Sequence, residues 1–186
     1  MKIGFLPIAA LVFTMTSGAV FAQDDSSLTA EQLAAKFMAQ QATRGLVIAP
    51  SGDAAAEATD PNALPADTTF VALDPSAQVN FQIKFAFDSA ALAEEEAAKL
   101  DTLCEVIKAS DIPQFKIIGH TDAAGTDTYN QNLSLLRAEE VKRHLVDDCG
   151  VPDTKLLAEG VGEAFPLDPN DPRADVNRRV EFQVGS

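Results

Sequence analysis

Residues 119–138, GHTDAAGTDTYNQNLSLLRA, gather His120, Asp122, Ser134 and Arg137 within one loop and the helix that follows it. Histidine, carboxylate and serine together raise a hydrolytic triad, but the spacing argues against one. His120 and Asp122 are two residues apart at the end of a strand, and they point the same way only while the strand continues. Ser134 sits near the start of a helix, where serine commonly caps, and it lacks the glycine-framed elbow of hydrolases. A second chemistry uses the opposite charges. Asp122 at a strand end and Arg137 one or two turns into the helix, with free backbone amides between them, suit a ligand carrying both an ammonium and a carboxylate. The competing reading is a structural ion pair between Asp122 and Arg137 with Asn130 as a helix cap, which is the commoner use of such residues.

Those side chains must be held by a modest core. The chain has 186 residues, 46% of them hydrophobic, and Lys plus Arg total 14 against 28 for Asp plus Glu. A net charge of −14 repels nucleic acid and anionic lipid, so any anionic partner must be caught by a few placed donors. Residues 1–22 read as a secretory signal peptide: Lys2, then an apolar run, then the small Ala22 before acidic residues. An uncleaved anchor is the alternative, because Gly4 to Ala22 approaches spanning length. Lipid attachment at a cleavage-site cysteine is not expected, since Cys104 is the first cysteine.

Residues 23–77 form a second unit. Thr29 and Gln32 have capping-box spacing, and Leu33, Phe37 and Met38 fall on one face of a short helix that would dock on a partner or on its own domain. Pro50, Pro61, Pro65 and Pro75 then exclude regular helix from a Pro/Ala-rich arm. An envelope protein is a candidate partner for residues 24–77.

Residues 78–186 make the globular domain. Val79, Phe81, Ile83, Phe85 and Phe87 alternate as a half-buried strand. Ala93, Ala97, Leu100, Leu103, Cys104 and Ile107 follow at helical spacing, then a strand at 114–118. A second helix runs through Ala138, Val141, Leu145 and Cys149 until Gly150 stops it. Short strands near 155–161 and 179–184 complete the order strand, helix, strand, helix, strand, strand. The fold class is α+β, an α/β sandwich with a mixed sheet and its helices on one face.

Cys104 and Cys149 fall on the sheet-facing sides of their helices, which makes a disulfide sterically reasonable in an oxidising compartment. Two buried free thiols are the alternative. Neither these cysteines nor His120 and His144 show the clustered spacing of a zinc site, so no metal or other cofactor is expected.

FDSAAL, IIGHTDAAGTDTYNQNLSLLRAEEVKRHL, EGVGEAFP and NRRVEF, in that order from about Gln78 onward, resemble the motifs of the OmpA-like peptidoglycan-binding domain shared with Pal and MotB proteins. The resemblance implies non-catalytic binding of the diaminopimelate residue in a peptidoglycan stem peptide. It places Asp122 on the ligand ammonium and Arg137 on its carboxylate, with Thr121 and Asn130 in support and Arg178 bordering the site. It also implies an exported protein of the periplasm, associated with the outer membrane. The alternative from another class is a periplasmic amidase or peptidase built on the triad.

Overall fold

Four strands form one mixed sheet among the described residues, which are 24–43, 70–86 and 89–185 of this computed structural model. The expected signal peptide and most of the Pro/Ala-rich arm lie outside them. Strands β1 (Val79–Phe81), β2 (Phe115–Gly119), β3 (Leu156–Gly160) and β4 (Val180–Val184) lie in the order β1-β4-β2-β3. β2 and β3 are parallel, and β4 runs antiparallel to both of its neighbours. Helices α1 (Ala30–Thr43), α2 (Glu94–Ala97), α3 (Asp101–Ala109) and α4 (Asp127–Asp147) complete the expected α+β class.

The period-two alternation of the strands divides the sheet into two unlike faces. Val79, Phe81, Phe115, Ile117, Leu156, Val180, Phe182 and Val184 make the apolar face and share one core with Leu33 and Phe37 of α1, Leu103 and Ile107 of α3, and Val141 and Leu145 of α4. The other face carries Asn80, Lys116, Glu159, Glu181 and Gln183, all buried. These polar groups are matched to one another and to the crossing segment 70–73. Gln183 donates to the Val71 carbonyl at 2.9 Å and to Glu181 at 2.8 Å, Arg179 Nε donates to Asn80 at 3.0 Å, and Lys116 pairs with Glu159 at 3.5 Å. Such pairing offsets the desolvation that burial of these groups would otherwise cost.

Several expected elements differ in detail. The first strand was expected to run through Phe87, but its ladder ends at Phe81 because β4 begins opposite it at Val180. Beyond that point the Ile83 N–H turns back to the Phe81 carbonyl at 3.1 Å. The single helix expected over residues 93–107 is divided by a 3-10 turn at Ala98–Leu100, and Ala93 is exposed. Met38, expected on the buried face of α1, is 67% exposed. The buried polar residue of that helix is Gln40, and its role is specific. β1 is too short to pair with the end of β4, so the Gln40 amide continues the ladder: it accepts from Val184 N at 2.9 Å and donates to the carbonyls of Phe182 at 3.3 Å and Ala77 at 2.9 Å.

The segment before α1 protects the outer edge of β1. Asp25, 1% exposed, accepts from Asn80 N at 2.8 Å and pairs with Lys36 at 2.8 Å, and Lys36 also donates to the Gln78 carbonyl at 2.9 Å. An open row of strand amides would otherwise invite pairing with another chain. The capping box at Thr29 and Gln32 forms, with reciprocal bonds of 3.0 and 3.3 Å. The described parts of residues 24–77 thus use Asp25, Leu33, Phe37 and Gln40 on the chain's own domain.

α4 starts at Thr126, whose hydroxyl accepts from Tyr129 N at 3.3 Å. Ser134 and Asn130 therefore lie inside the helix and neither caps it. The helix ends in a turn through Gly150, where φ is +74° and the Gly150 and Val151 amides bond back to Val146 and Leu145. Cys104 on α3 and Cys149 beyond α4 are joined in a disulfide 45 residues apart in sequence.

Two predictions follow from this packing. In the chain-entropy account, closing that 45-residue loop contributes at most about 4 kcal/mol. Urea unfolding with and without reductant should therefore show a loss up to that size, with native circular dichroism below the transition. A Gly119→Ala substitution should cost about 1–3 kcal/mol or more, because its Cβ would lie 2.0 Å from the Ser134 carbonyl oxygen on α4. An unchanged unfolding midpoint would contradict the close approach of α4 to β2.

Candidate functional site

Two glycines set the position of the site. A Cβ at Gly119 would collide with the Ser134 backbone, and one at Gly160 would lie 2.5 Å from Leu135 N and 2.6 Å from Ser134 Oγ. With both side chains absent, α4 lies directly on the ends of β2 and β3. Ser134 then bridges the layers, donating to the Gln131 carbonyl at 2.8 Å and accepting from Gly162 N at 2.9 Å. This hydroxyl is fully buried and committed to structure.

The same approach brings the start of α4 beside the loop leaving β2, and between them opens a cleft of about 620 Å³. Thr121, Asp122, Asn130, Arg137 and Arg178 all line it, with Phe85, Tyr129 and Asp175. Asp122 accepts from Ala124 N at 3.0 Å through one oxygen, which fixes the carboxylate on its own loop. Its other oxygen pairs with Arg178 Nη1 at 2.5 Å. Arg178 is also held by Asp175 at 2.6 Å, and its guanidinium is pushed above its ordinary value, chiefly by the hydrogen bond to Asp122. The side chain of Arg178 remains 40% exposed.

Arg137 is held differently. It is 8% exposed, its guanidinium lies 4.9 Å from the centre of the Phe85 ring, and its Nε donates to the Ser89 carbonyl at 3.3 Å. Among the described residues no carboxylate forms an ion pair with it. Burial pulls this guanidinium below its ordinary value, and Arg178 pulls the same way against Tyr129 and Asp122. The alternative of an Asp122–Arg137 ion pair is thus not the arrangement seen: Asp122 is taken by Arg178, and Arg137 is a desolvated cation facing the cleft.

Asn130 and Thr121 occupy the floor. Asn130, 1% exposed, donates through its amide to the Asp122 carbonyl at 3.2 Å and contacts Glu163, tying α4 to the loop that carries the carboxylate. Thr121 N donates to the Gly162 carbonyl at 2.9 Å. Its buried Oγ1 carries no hydrogen bond among the described residues.

The hydrolytic constellation does not assemble. His120 continues the alternation of β2 onto the polar face, where its Nε2 meets Glu181 at 3.2 Å and its ring lies 5.9 Å from that of Phe70. Ser134 lies on the opposite, helix-covered face. Burial holds His120 below the ordinary histidine value, with Arg179 adding to that effect and Glu181 opposing it. A neutral imidazole inside a polar network accounts for this residue.

Phe85, Tyr129 and Asp175 were not singled out as site residues from sequence. Phe85 looked like one more core position in an alternating strand, and its place over Arg137 depends on the strand ending early. Asp175 had a usable signal, since a carboxylate three residues before Arg178 is within reach across a short turn.

The sequence profile of the OmpA family matches residues 84–179, more than half of the chain and all of the cleft's central residues. Outer membrane porin F of Pseudomonas aeruginosa is 38% identical over 110 residues, covering 58% of this chain and 31% of that protein. Outer membrane protein A of Bordetella avium is 36% identical over 103 residues, covering 54% of this chain and 52% of that one. The matched region therefore spans 31% to 52% of the length of these relatives. The OmpA-like domain of FopA1 from Francisella tularensis superimposes with a TM-score of 0.50 at 28% identity, over 56% of this chain and 69% of that domain structure. On the strength of a profile match over more than half of its length, the chain belongs to the OmpA family.

Proposed function

We propose that this chain is a non-catalytic peptidoglycan-binding protein of the periplasm and outer membrane, and that its cleft recognises the diaminopimelate residue of a stem peptide. The observation that carries the reading is Arg137: a buried guanidinium with no described carboxylate partner, in the same cleft as a loop-fixed carboxylate. A side chain ending in both an ammonium and a carboxylate answers both charges at once. Its carboxylate would take the free hydrogen-bonding edge of Arg137, and its ammonium would take Asp122.

Arg178 gives the exchange a physical route. It pairs with Asp122, and its partly exposed side chain can release that oxygen and turn to the incoming carboxylate beside Arg137. One opposite-charge contact is then broken and three form: Asp122 with the ammonium, and Arg178 and the desolvated Arg137 with the carboxylate. Thr121 Oγ1, buried on the cleft floor with no hydrogen bond among the described residues, is a further group whose hydrogen bonding the ligand could complete. Each charged hydrogen bond contributes about 1.5–3 kcal/mol, so single sites should bind moderately and gain from repeats along the wall polymer. The names of the relatives, outer membrane porin F and outer membrane protein A, support an envelope location. No helix among the described residues is long and apolar enough to cross a membrane.

Co-sedimentation with insoluble peptidoglycan tests the site. Asp122→Ala and Arg137→Ala should each weaken pelleting at least about ten-fold while circular dichroism stays native, in line with the loss of one charged contact. Wild-type binding by both variants would contradict the assignment. His120→Ala should still pellet, with a lower unfolding midpoint, and no soluble fragments should be released by either protein. Fragment release by the wild type that disappears in His120→Ala would favour the amidase reading.

A further inference from the structure

The disulfide lies beside a histidine for which wall binding has no use. Cys104, on α3, and His144, in the last turn of α4, are buried, and Cys149 just beyond that helix is half-buried. One potential ligand atom from each lies within 4.8 Å of the other two. The orientation of the imidazole is fixed from behind. Its Nδ1 meets Asp148 Oδ2 at 2.8 Å, while its Nε2 faces the Cys149 sulfur at 3.9 Å. With Nδ1–H given to the carboxylate, the Nε2 lone pair points at the sulfurs. A carboxylate behind a ring nitrogen is the arrangement that orients metal-binding histidines and raises their basicity. Sequence spacing concealed this convergence, because Cys104 reaches the other two only through the packing of α3 on the end of α4.

We propose that reduction of the Cys104–Cys149 bridge opens a zinc site formed by the two cysteine sulfurs and His144 Nε2, with Asp148 as the positioning residue. While the sulfurs are bonded to each other they are poor ligands and the site is closed. A dithiol reductant opens it by exchange. Its first thiolate attacks one sulfur to form a mixed disulfide, and its second displaces that sulfur, so the reductant leaves as its own disulfide and both cysteines gain the electrons as thiols. Zinc binding then releases one proton from each thiol to solvent. Two thiolates and a neutral imidazole suit zinc, and the two negative charges neutralise the ion. Three protein ligands leave the fourth position for water.

The test uses the full chain and cobalt(II) as a spectroscopic stand-in for zinc. Under anaerobic conditions the reduced protein should take up an equimolar amount of cobalt, showing thiolate-to-metal charge-transfer bands and tetrahedral d–d bands that zinc abolishes. The oxidised protein should show neither. Asp148→Asn should weaken cobalt affinity about ten-fold, and His144→Gln more, with the charge-transfer bands shifted. Absence of thiolate bands from the reduced wild type would overturn the proposal. So would equal cobalt affinity in the reduced wild type and His144→Gln, or the same bands in the oxidised chain.

Discussion

The contact on which the cleft depends is the approach of one helix to two strand ends. Gly119 on β2 and Gly160 on β3 are neighbours in the parallel ladder, and together they present a patch of bare backbone to α4 at Ser134. Everything functional is measured from that contact. One residue beyond Gly119 the chain leaves the strand, and two further on it presents Asp122. Four residues before Ser134 the helix presents Asn130, which bonds the Asp122 carbonyl, and three residues after it comes Arg137. A helix held even a methyl group farther out would separate the carboxylate from the guanidinium by a comparable amount.

A second constraint concerns the sheet's shortest strand. β1 pairs over only three residues, so its neighbour β4 and its own outer edge are left with unmet backbone groups. Side chains supply the missing partners: Gln40 completes the end of β4, and Asp25 with Lys36 closes the edge of β1. Asp25, Lys36 and Gln40 are thereby integral to the hydrogen bonding of the sheet. The early end of β1 also serves the cleft, because the chain beyond Phe81 is released from the ladder and carries Phe85 to Arg137.

The strand and helix order was legible because the apolar residues keep period two in β2 and β4 and helical spacing in α3 and α4. Asp122 and Arg137 were legible as opposite charges flanking a loop, and both line the cleft; the ligand that the family resemblance implies for them is part of the proposal. What local pattern could not show was pairing between distant parts. Nothing near Asp122 in sequence indicates that Arg178 occupies it, and nothing near Gln40 indicates that β4 needs it. Met38 differs for a local reason: next to Phe37 it lies about 100° round the helix and faces away from the core, while Gln40, three residues after Phe37, is buried. Ser134 and Asn130 looked like helix-starting residues only because the helix start at Thr126 was not located.

In the proposed function, burial would give the cleft selectivity as well as shape. Desolvated beside an aromatic ring, Arg137 would gain more from a carboxylate than an exposed arginine, and on this proposal Asp122 would take an ammonium in place of Arg178. A ligand offering only one of those charges satisfies half of the site. The most direct measurement is a calorimetric titration with two stem peptides that differ at one residue, meso-diaminopimelate in one and lysine in the other. They share the side-chain ammonium, and only the first adds the carboxylate. Binding of the diaminopimelate peptide at least about ten-fold tighter than the lysine peptide is the result expected from one charged contact. Equal affinities would contradict the two-charge cleft.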